Sequence, residues 1–369
     1  MDAVAVPSER LSATARIAVL RFGSLGDIVK CTALPRLIKG AYPQSRLTFV
    51  TSARYLDLIA DNPFIDQPLG LDTQSGWRGL RALARELRAA QLDWVVDVHR
   101  SLRSRLLCGM LAAPVIGYSK RTAQRWLLVQ FGVNTYDPPQ GKEQDFLAPL
   151  ARYGVRDDGL GTQIFLKRIA SDASLRTRLG DGLAMLKDWR AAGRPILGVA
   201  PVAAWALKCW PMGHFRELIE RFLATTSGAV VVFGGPGDAA ADALASERSG
   251  RVLSLVGRTT YLESAYCASL TDLVVANDTG MTHLTEAAGR DVIALYGPTT
   301  REWGYYPTRP GSVPLERDLP CRPCTRMGEG RCTHPLEKAC LVGITPQRVL
   351  GEVLRKLGLP PPPDVGAPC

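Results

Sequence analysis

The chain has 369 residues, enough for two domains with separate cores. Its 46% hydrophobic and 22% charged content is that of a soluble globular protein, and no apolar run reaches the ~18 residues a membrane span needs. The net charge of +10 favours anionic partners, but there is no RRM-like aromatic signature, paired-histidine zinc finger or basic tail, so nucleic acid is set aside.

The opening stretch, MDAVAVPSERLSATAR, lacks the apolar core of a secretory signal, which predicts a cytoplasmic protein. Arg16–Phe22 (RIAVLRF) reads as a buried strand, followed by a turn, Gly23–Asp27, into a helix running to about Lys39. The glycine spacing there fits neither a dinucleotide fingerprint nor a P-loop. Asp27 has two readings at this helix start. It is a cap that satisfies backbone N–H groups, or a carboxylate above the strand that serves as a general base.

Strands and helices then alternate. Arg46–Thr51 is a strand, Ala53–Ala60 a helix stopped by Asn62-Pro63, Trp77–Ala90 an amphipathic Arg-rich helix and Trp94–Val98 a strand. This is the rhythm of a parallel sheet covered on both faces. From His99 the composition shifts. Arg100, Arg103, Arg105, Lys120, Arg121 and Arg125 accumulate with no acidic residue between Asp97 and Asp137. A solvated basic face is one account; the lack of compensating carboxylates favours an acceptor-side anion site. His99 by itself reads as structural rather than catalytic. Residues 132–161 are loop-rich with one helix near Glu143–Tyr153, and Ser171–Ala192 reads as one long helix capped by Ser171. The predicted boundary falls just before it, giving domains at 1–170 and 171–345, with a helix and Pro-rich tail at 346–369.

The second half repeats the rhythm. Strand Ile196–Val199 leads through the loop from Ala200 to Pro211 into helix Met212–Thr225, and strand Ala229–Phe233 into the glycine-rich turn Gly234–Gly237. Lys208 is the lone cation of the first loop: buried, it needs an anion, and otherwise its head snorkels to water. After helix Tyr261–Ser269 come strand Leu273–Ala276, a turn, a helix and strand Val292–Tyr296. Asp278 is the predicted N-cap, with Thr279 and Gly280 in the first turn, whose unpaired N–H groups carry the positive end of the helix dipole. At the carboxyl end of a parallel strand, this predicts a phosphate seat; an ordinary capped turn is the competing reading.

Of nine cysteines, Cys31, Cys108, Cys209 and Cys267 read as buried small hydrophobes. Cys321-x2-Cys324-x7-Cys332-x7-Cys340 lies in a Pro/Gly-rich loop with His334. Four thiolates suit a structural zinc or iron, since no coordination position stays open for chemistry; four reduced thiols are the alternative. A disulfide is disfavoured in a reducing compartment.

RFGSLGDIVKCTALP, DVHRSLRSRLL with VIGYSKR, APVAAWALKCWP and VVANDTGMTHLTEAAGRDVIALYGPT together resemble glycosyltransferase family 9, the ADP-heptose:lipopolysaccharide heptosyltransferases, over about Arg16 to Val349. The resemblance implies an α/β fold of GT-B type: two Rossmann-like, doubly wound domains facing across a cleft, acceptor in the first and donor in the second. It implies inverting transfer of heptose from ADP-L-glycero-D-manno-heptose to a lipopolysaccharide inner-core acceptor, an anionic lipid-linked saccharide. No catalytic cofactor or metal is expected, and the enzyme would work in the cytoplasm, at the inner face of the membrane and in peripheral contact with it. Asp27 would be the base. Lys208, Asp278, Thr279, Gly280 and His283, with Ala203 and Ala204 of the loop, would hold the donor. Gly26, Arg100, Arg103, Lys120 and Arg121 would meet the acceptor, and a closing hinge would lie near Leu166–Ser171.

Two departures matter. The family's P-G-[AS] loop start is Pro201-Val202-Ala203 here, which leaves no hydroxyl at Ala203 or Ala204, and Met281 replaces a proline. The first keeps open another nucleotide sugar or a protein acceptor. A non-catalytic binding module is disfavoured by the joint presence of Asp27, Lys208 and His283.

Overall fold

The computed structural model describes residues 11–136, 139–245 and 250–360. They divide into two compact units, one running through Thr122 and resuming at Gln140–Phe165, the other comprising Ala123–Pro139 and the chain from Leu166. Residues 123–139, which the sequence places with the first half, thus group with the second. The Pro-rich tail beyond residue 360, with Cys369, lies outside the described residues.

The first unit holds a five-stranded parallel sheet of β1 (Arg16–Leu20), β2 (Arg46–Ser52), β3 (Gln67–Leu71), β4 (Trp94–Asp97) and β5 (Val115–Gly117), in the order β3-β2-β1-β4-β5. β1 sits between β2 and β4, and its Leu20 lies opposite Asp97. Ala18, Leu20, Val50 and Val95 are fully buried against Leu80, Leu83 and Leu87 of helix Gly76–Ala89. Each of the leucine and valine side chains among these contributes about 1.5–3 kcal/mol on leaving water. β3 and β5 escape the sequence reading because both are short edge strands. β3 also carries a proline and a glycine, which periodicity does not flag.

The second sheet has six parallel strands: β6 (Ile196–Ala200), β7 (Ala229–Val232), β8 (Val252–Ser254), β9 (Leu273–Asn277), β10 (Asp291–Leu295) and β11 (Val313–Leu315), ordered β11-β10-β9-β6-β7-β8. Helix Pro346–Lys356 belongs to this core, because its Val349, Leu350, Val353 and Leu354 are buried there. Trp210 Nε1 donates to Ile344 O at 2.8 Å just ahead of it.

Two predicted helices are broken. The first splits into Leu25–Cys31 and Ala33–Ala41, where the Thr32 hydroxyl donates back to Val29 O. Where the sequence predicts one helix from Ser171 to Ala192, there are three in succession from Lys167: Lys167–Ser171, which ends where the span begins, Ala173–Leu179 and Asp181–Ala191. Asp172, not Ser171, caps the middle one by accepting from Ser174 N, and Gly180 at φ +49° ends it.

In both sheets the strand order reverses beside the first strand of the unit, at β1/β4 and at β6/β9. Open α/β sheets bind ligands beyond the carboxyl ends of strands at such points.

Candidate functional site

In the first unit, the chain leaves β1 through Arg21 and turns into helix Leu25–Cys31, with Ser24 as N-cap. Asp27, at the third helical position, accepts from Ser24 N at 3.2 Å and from Ser24 Oγ at 3.0 Å. It also forms an ion pair with Arg21, whose guanidinium donates to Val98 O at the end of β4 and lies 5.3 Å from the Phe146 ring centre. Asp27 is therefore a helix cap by contact. Its burial with a fixed arginine also fits a carboxylate held in one orientation for chemistry, so the two readings coexist. Gly26 precedes it within the helix, half-buried.

The basic run does not form one face. Asp97, 1% exposed, anchors the turn after β4 by accepting from His99 N and Arg100 N at 2.9 Å each and from Ser104 Oγ at 2.9 Å. Arg100 sits at φ +53°, and its guanidinium crosses Gly117, where a Cβ would stand 2.3 Å from Nη1. Arg103 and Arg105 are exposed on helix Leu102–Gly109. Lys120 is held below the usual lysine range by burial and by Arg21. Arg121 pairs with Asp145 at 3.1 Å and donates to Gln140. The carboxylate missing from the local sequence thus arrives from farther along the chain. Arg125 belongs to the second unit, its guanidinium 5.3 Å from the Trp303 ring.

In the second unit, the loop after β6 and the turn after β9 meet. Asn277 is fully buried; its Nδ2 donates to Pro201 O at 2.7 Å and its Oδ1 accepts from Trp210 N at 2.9 Å, clamping the loop that carries Lys208. Lys208 Nζ lies 2.6 Å from Asp278 Oδ2, which also accepts from Thr299 Oγ1 at 2.7 Å. The lone lysine thus has its anion within the protein, and Asp278 is not the predicted N-cap. Thr279 holds that position with extended backbone and makes no side-chain cap bond. Gly280 opens helix Gly280–Ala287, so the orphan N–H groups start one residue later than predicted, beside the Lys208–Asp278 pair. His283 is buried on this helix, its ring 5.9 Å from that of Tyr305. Ala203 and Ala204 lie half-buried and exposed in the loop and supply no polar side chain.

A cavity of about 510 Å³ opens beyond β10, lined by Arg301 and Arg322 but also by Glu302, Glu316 and Asp318. Arg322 is bound to Glu316 at 2.7 Å and to the carbonyl of Thr299 at 2.8 Å. With three carboxylates against two arginines the cavity is no seat for a diphosphate, which the Lys208 corner suits better.

The cysteine loop packs on the same corner. A Cβ on Gly328, at φ +100°, would stand 2.9 Å from Lys208 Cγ and from Trp205 Cβ, so only glycine lets the loop lie along the lysine stem. Lys338 Nζ donates to Cys209 O at 3.4 Å, and Lys338 N to Cys332 Sγ at 3.2 Å. Burial and then the neighbouring Cys340, Cys321 and Cys332 push the Cys324 thiol up to about 11. Burial likewise pushes the Cys340 thiol up. No three His, Cys, Asp or Glu side chains among the described residues are grouped to hold a metal ion, so the set as arranged does not fit one. The eight described cysteines are all free, with Cys31, Cys108 and Cys267 buried as predicted and Cys209 only half-buried.

Sequence reasoning missed Arg21, Asn277 and Thr299. Arg21 and Asn277 had a visible signal, being the polar residues that close otherwise apolar strands; Thr299 had none.

Two parallel Rossmann-type sheets, each with a charged corner at its switch point, define a GT-B fold of the kind that glycosyltransferases use. The profile of glycosyltransferase family 9 (heptosyltransferase) matches residues 80–330, more than half of the chain. The chain belongs to this family and is a glycosyltransferase. It is 30% identical over 348 residues to lipopolysaccharide heptosyltransferase 2 of Escherichia coli (strain K12), covering 92% of this chain and 97% of that protein. It is 25% identical over 351 residues to the protein of that name from Salmonella typhimurium, with the same coverage. Among solved structures, a family 9 glycosyl transferase from Veillonella parvula superposes with a TM-score of 0.75 at 20% identity, over 95% of this chain and 99% of that one. Escherichia coli ADP-heptose LPS heptosyltransferase II gives 0.70 at 20% identity, over 93% and 98%. The iron-containing dodecameric glycosyltransferase TibC of enterotoxigenic Escherichia coli gives 0.56 at 13% identity, over 95% and 77%.

Proposed function

We propose that this glycosyltransferase is an inverting, metal-independent heptosyltransferase that moves heptose from ADP-L-glycero-D-manno-heptose to an anionic lipopolysaccharide inner-core acceptor. The observation that carries the reading is the Lys208–Asp278 pair beside the N-terminus of helix Gly280–Ala287. The first-turn N–H groups of that helix, with an ammonium able to exchange Asp278 for a phosphate oxygen, would form the seat that electrostatic stabilisation of a departing ADP requires. Lys208, Asp278, Thr279, Gly280 and His283 would then form the donor site, with Ala203 and Ala204 lining its loop. Relatives named lipopolysaccharide heptosyltransferase 2, matched along 97% of their length, support the choice of sugar.

In the first unit, Asp27 takes the proton of the attacking acceptor hydroxyl, and Arg21 holds the carboxylate toward it. Gly26, Arg100, Arg103, Lys120 and Arg121 border the acceptor, whose phosphates and Kdo carboxylates meet the basic side chains. Attack by the hydroxyl on the face opposite the diphosphate inverts the anomeric centre. The protein works in the cytoplasm and meets the membrane peripherally; no described helix is long and apolar enough to cross one. The hinge is assigned to the stretch near Leu166–Ser171. The loop carrying Cys321, Cys324, Cys332 and Cys340, whose thiols as arranged do not fit a metal ion, takes no part in the reaction.

The deciding experiment is calorimetric titration with ADP, UDP and GDP without added metal. Selective ADP binding, followed by turnover of ADP-heptose, sustains the proposal. Preference for UDP or GDP assigns another sugar nucleotide, the reading that the hydroxyl-free Val202–Ala204 loop keeps open.

A further inference from the structure

His99 stands where β4 gives way to the acceptor corner, and the contacts around it are specific. Its backbone N–H and that of Arg100 are fixed by Asp97, so the turn has little freedom to move the ring. The imidazole packs edge-on against Phe22, with centroids 5.2 Å apart, and Phe22 directly follows the arginine that holds Asp27. One ring nitrogen, Nδ1, is buried and makes no hydrogen bond to any described residue, while the residue as a whole stays half-exposed.

A buried N–H without a partner costs more than a buried lone pair, so the proton of the neutral ring belongs on Nε2. That leaves an N–H donor at the ring's other edge, among charged groups that face it from every neighbouring segment. Arg21 and Asp27 come from the β1 side, Asp97 from β4 and Lys120 from beyond β5. Burial, then Arg21 and Lys120, hold the imidazole down at about 4, outweighing Asp97 and Asp27, so the ring is uncharged at neutral pH. Although Asp97 and Asp27 stand near the ring as well as the two cations, no described residue forms a hydrogen bond with the His99 side chain. An oxyanion is the ligand that would accept from it and at the same time meet the exposed Lys120 ammonium.

We propose that His99 binds the acceptor directly, its Nε2–H donating to an anionic oxygen of that saccharide beside Lys120. This rests on the reading that the Asp27 corner receives the acceptor. The oxyanion then opposes the two cations, so binding raises the imidazole pKa and takes up protons below neutrality. The donor corner around Lys208 is built from residues of the other unit.

The test uses the full chain labelled with ¹⁵N-histidine. Its four imidazoles are followed against pH by NMR, alone and saturated with a water-soluble saccharide carrying Kdo carboxylates. The His99 signal, assigned through His99→Gln, is expected to titrate near 4 in the free protein and about one unit or more higher when saturated. In turnover, His99→Phe is expected to raise the acceptor KM about tenfold or more with the ADP-heptose KM unchanged. His99→Gln, which keeps an N–H donor, is expected to remain within about threefold of the parent. Asp27→Asn is measured alongside. If Asp27→Asn is inactive but the His99 pKa does not move and His99→Phe keeps its acceptor KM, the inference falls and the acceptor corner stands. If Asp27→Asn keeps full turnover, the corner itself is wrong and both fall.

Discussion

Each unit sets an aspartate against a cation just beyond its first strand, where strand order reverses, but the two pairs are built differently. In the first, Arg21 spreads its guanidinium over Asp27, Val98 O and the Phe146 ring, while Asp27 sits in a helical first turn. In the second, Lys208 is a point charge on a loop, and Asp278 is the member held elsewhere, by the Thr299 hydroxyl. A planar fork with several partners immobilises a carboxylate; a single ammonium on a flexible stem can exchange one anion for another. The same topology therefore presents an immobilised carboxylate in one unit and a loop-borne ammonium in the other.

Breaking the first corner should have the largest effect. Asp27→Ala is expected to lower turnover by about 10²–10⁴-fold while leaving ADP affinity, read by calorimetry, unchanged. Undiminished turnover would reduce Asp27 to a helix cap. Next comes Lys208→Ala, expected to weaken ADP binding about 10–100-fold, the loss of a charge-assisted contact. An unchanged Kd would mean that the lysine serves only Asp278.

The comparison sharpens at Gly328, which the second corner needs and the first has no counterpart for. Gly328→Ala places a methyl against Lys208 at a φ that alanine rarely adopts, and a loss of about 1 kcal/mol or more in stability is expected, read as a lower Tm with a few-fold weaker ADP binding. The smallest effect expected is in the pH dependence of stability. His99 is held near 4 in the folded chain against about 6.5 unfolded, so the unfolded state takes the proton first. Its contribution is fully present above about pH 6.5 and is lost as pH falls toward 4. Tm measured across that window should fall less steeply in His99→Gln, and an identical slope would refute the assignment.

The apolar strands, the turns after them and the ordered motifs were legible because they are local. RIAVLRF and LVVAN must be buried strands whatever surrounds them, and helices Met212–Thr225 and Tyr261–Ser269 have the predicted bounds. Local propensity also misled, since it ran a continuous helix through Asp172 and Gly180 and made Asp278 a cap. Both errors have one cause: a side chain's role depends on partners that pattern does not reveal.

The sequence by itself determined two α/β units and which loops carry charge, because burial periodicity and turn chemistry act within a few residues. Only the tertiary structure decided what those charges do. Lys208 and Asp278 are far apart in the chain and meet because β6 and β9 are neighbours in the sheet. Asn277 bridges two strand ends for the same reason, and Arg121 finds Asp145 on helix Lys142–Leu147, more than twenty residues along the chain. A buried charge or amide is tolerated only where a partner arrives, and sheet order settles which partner that is.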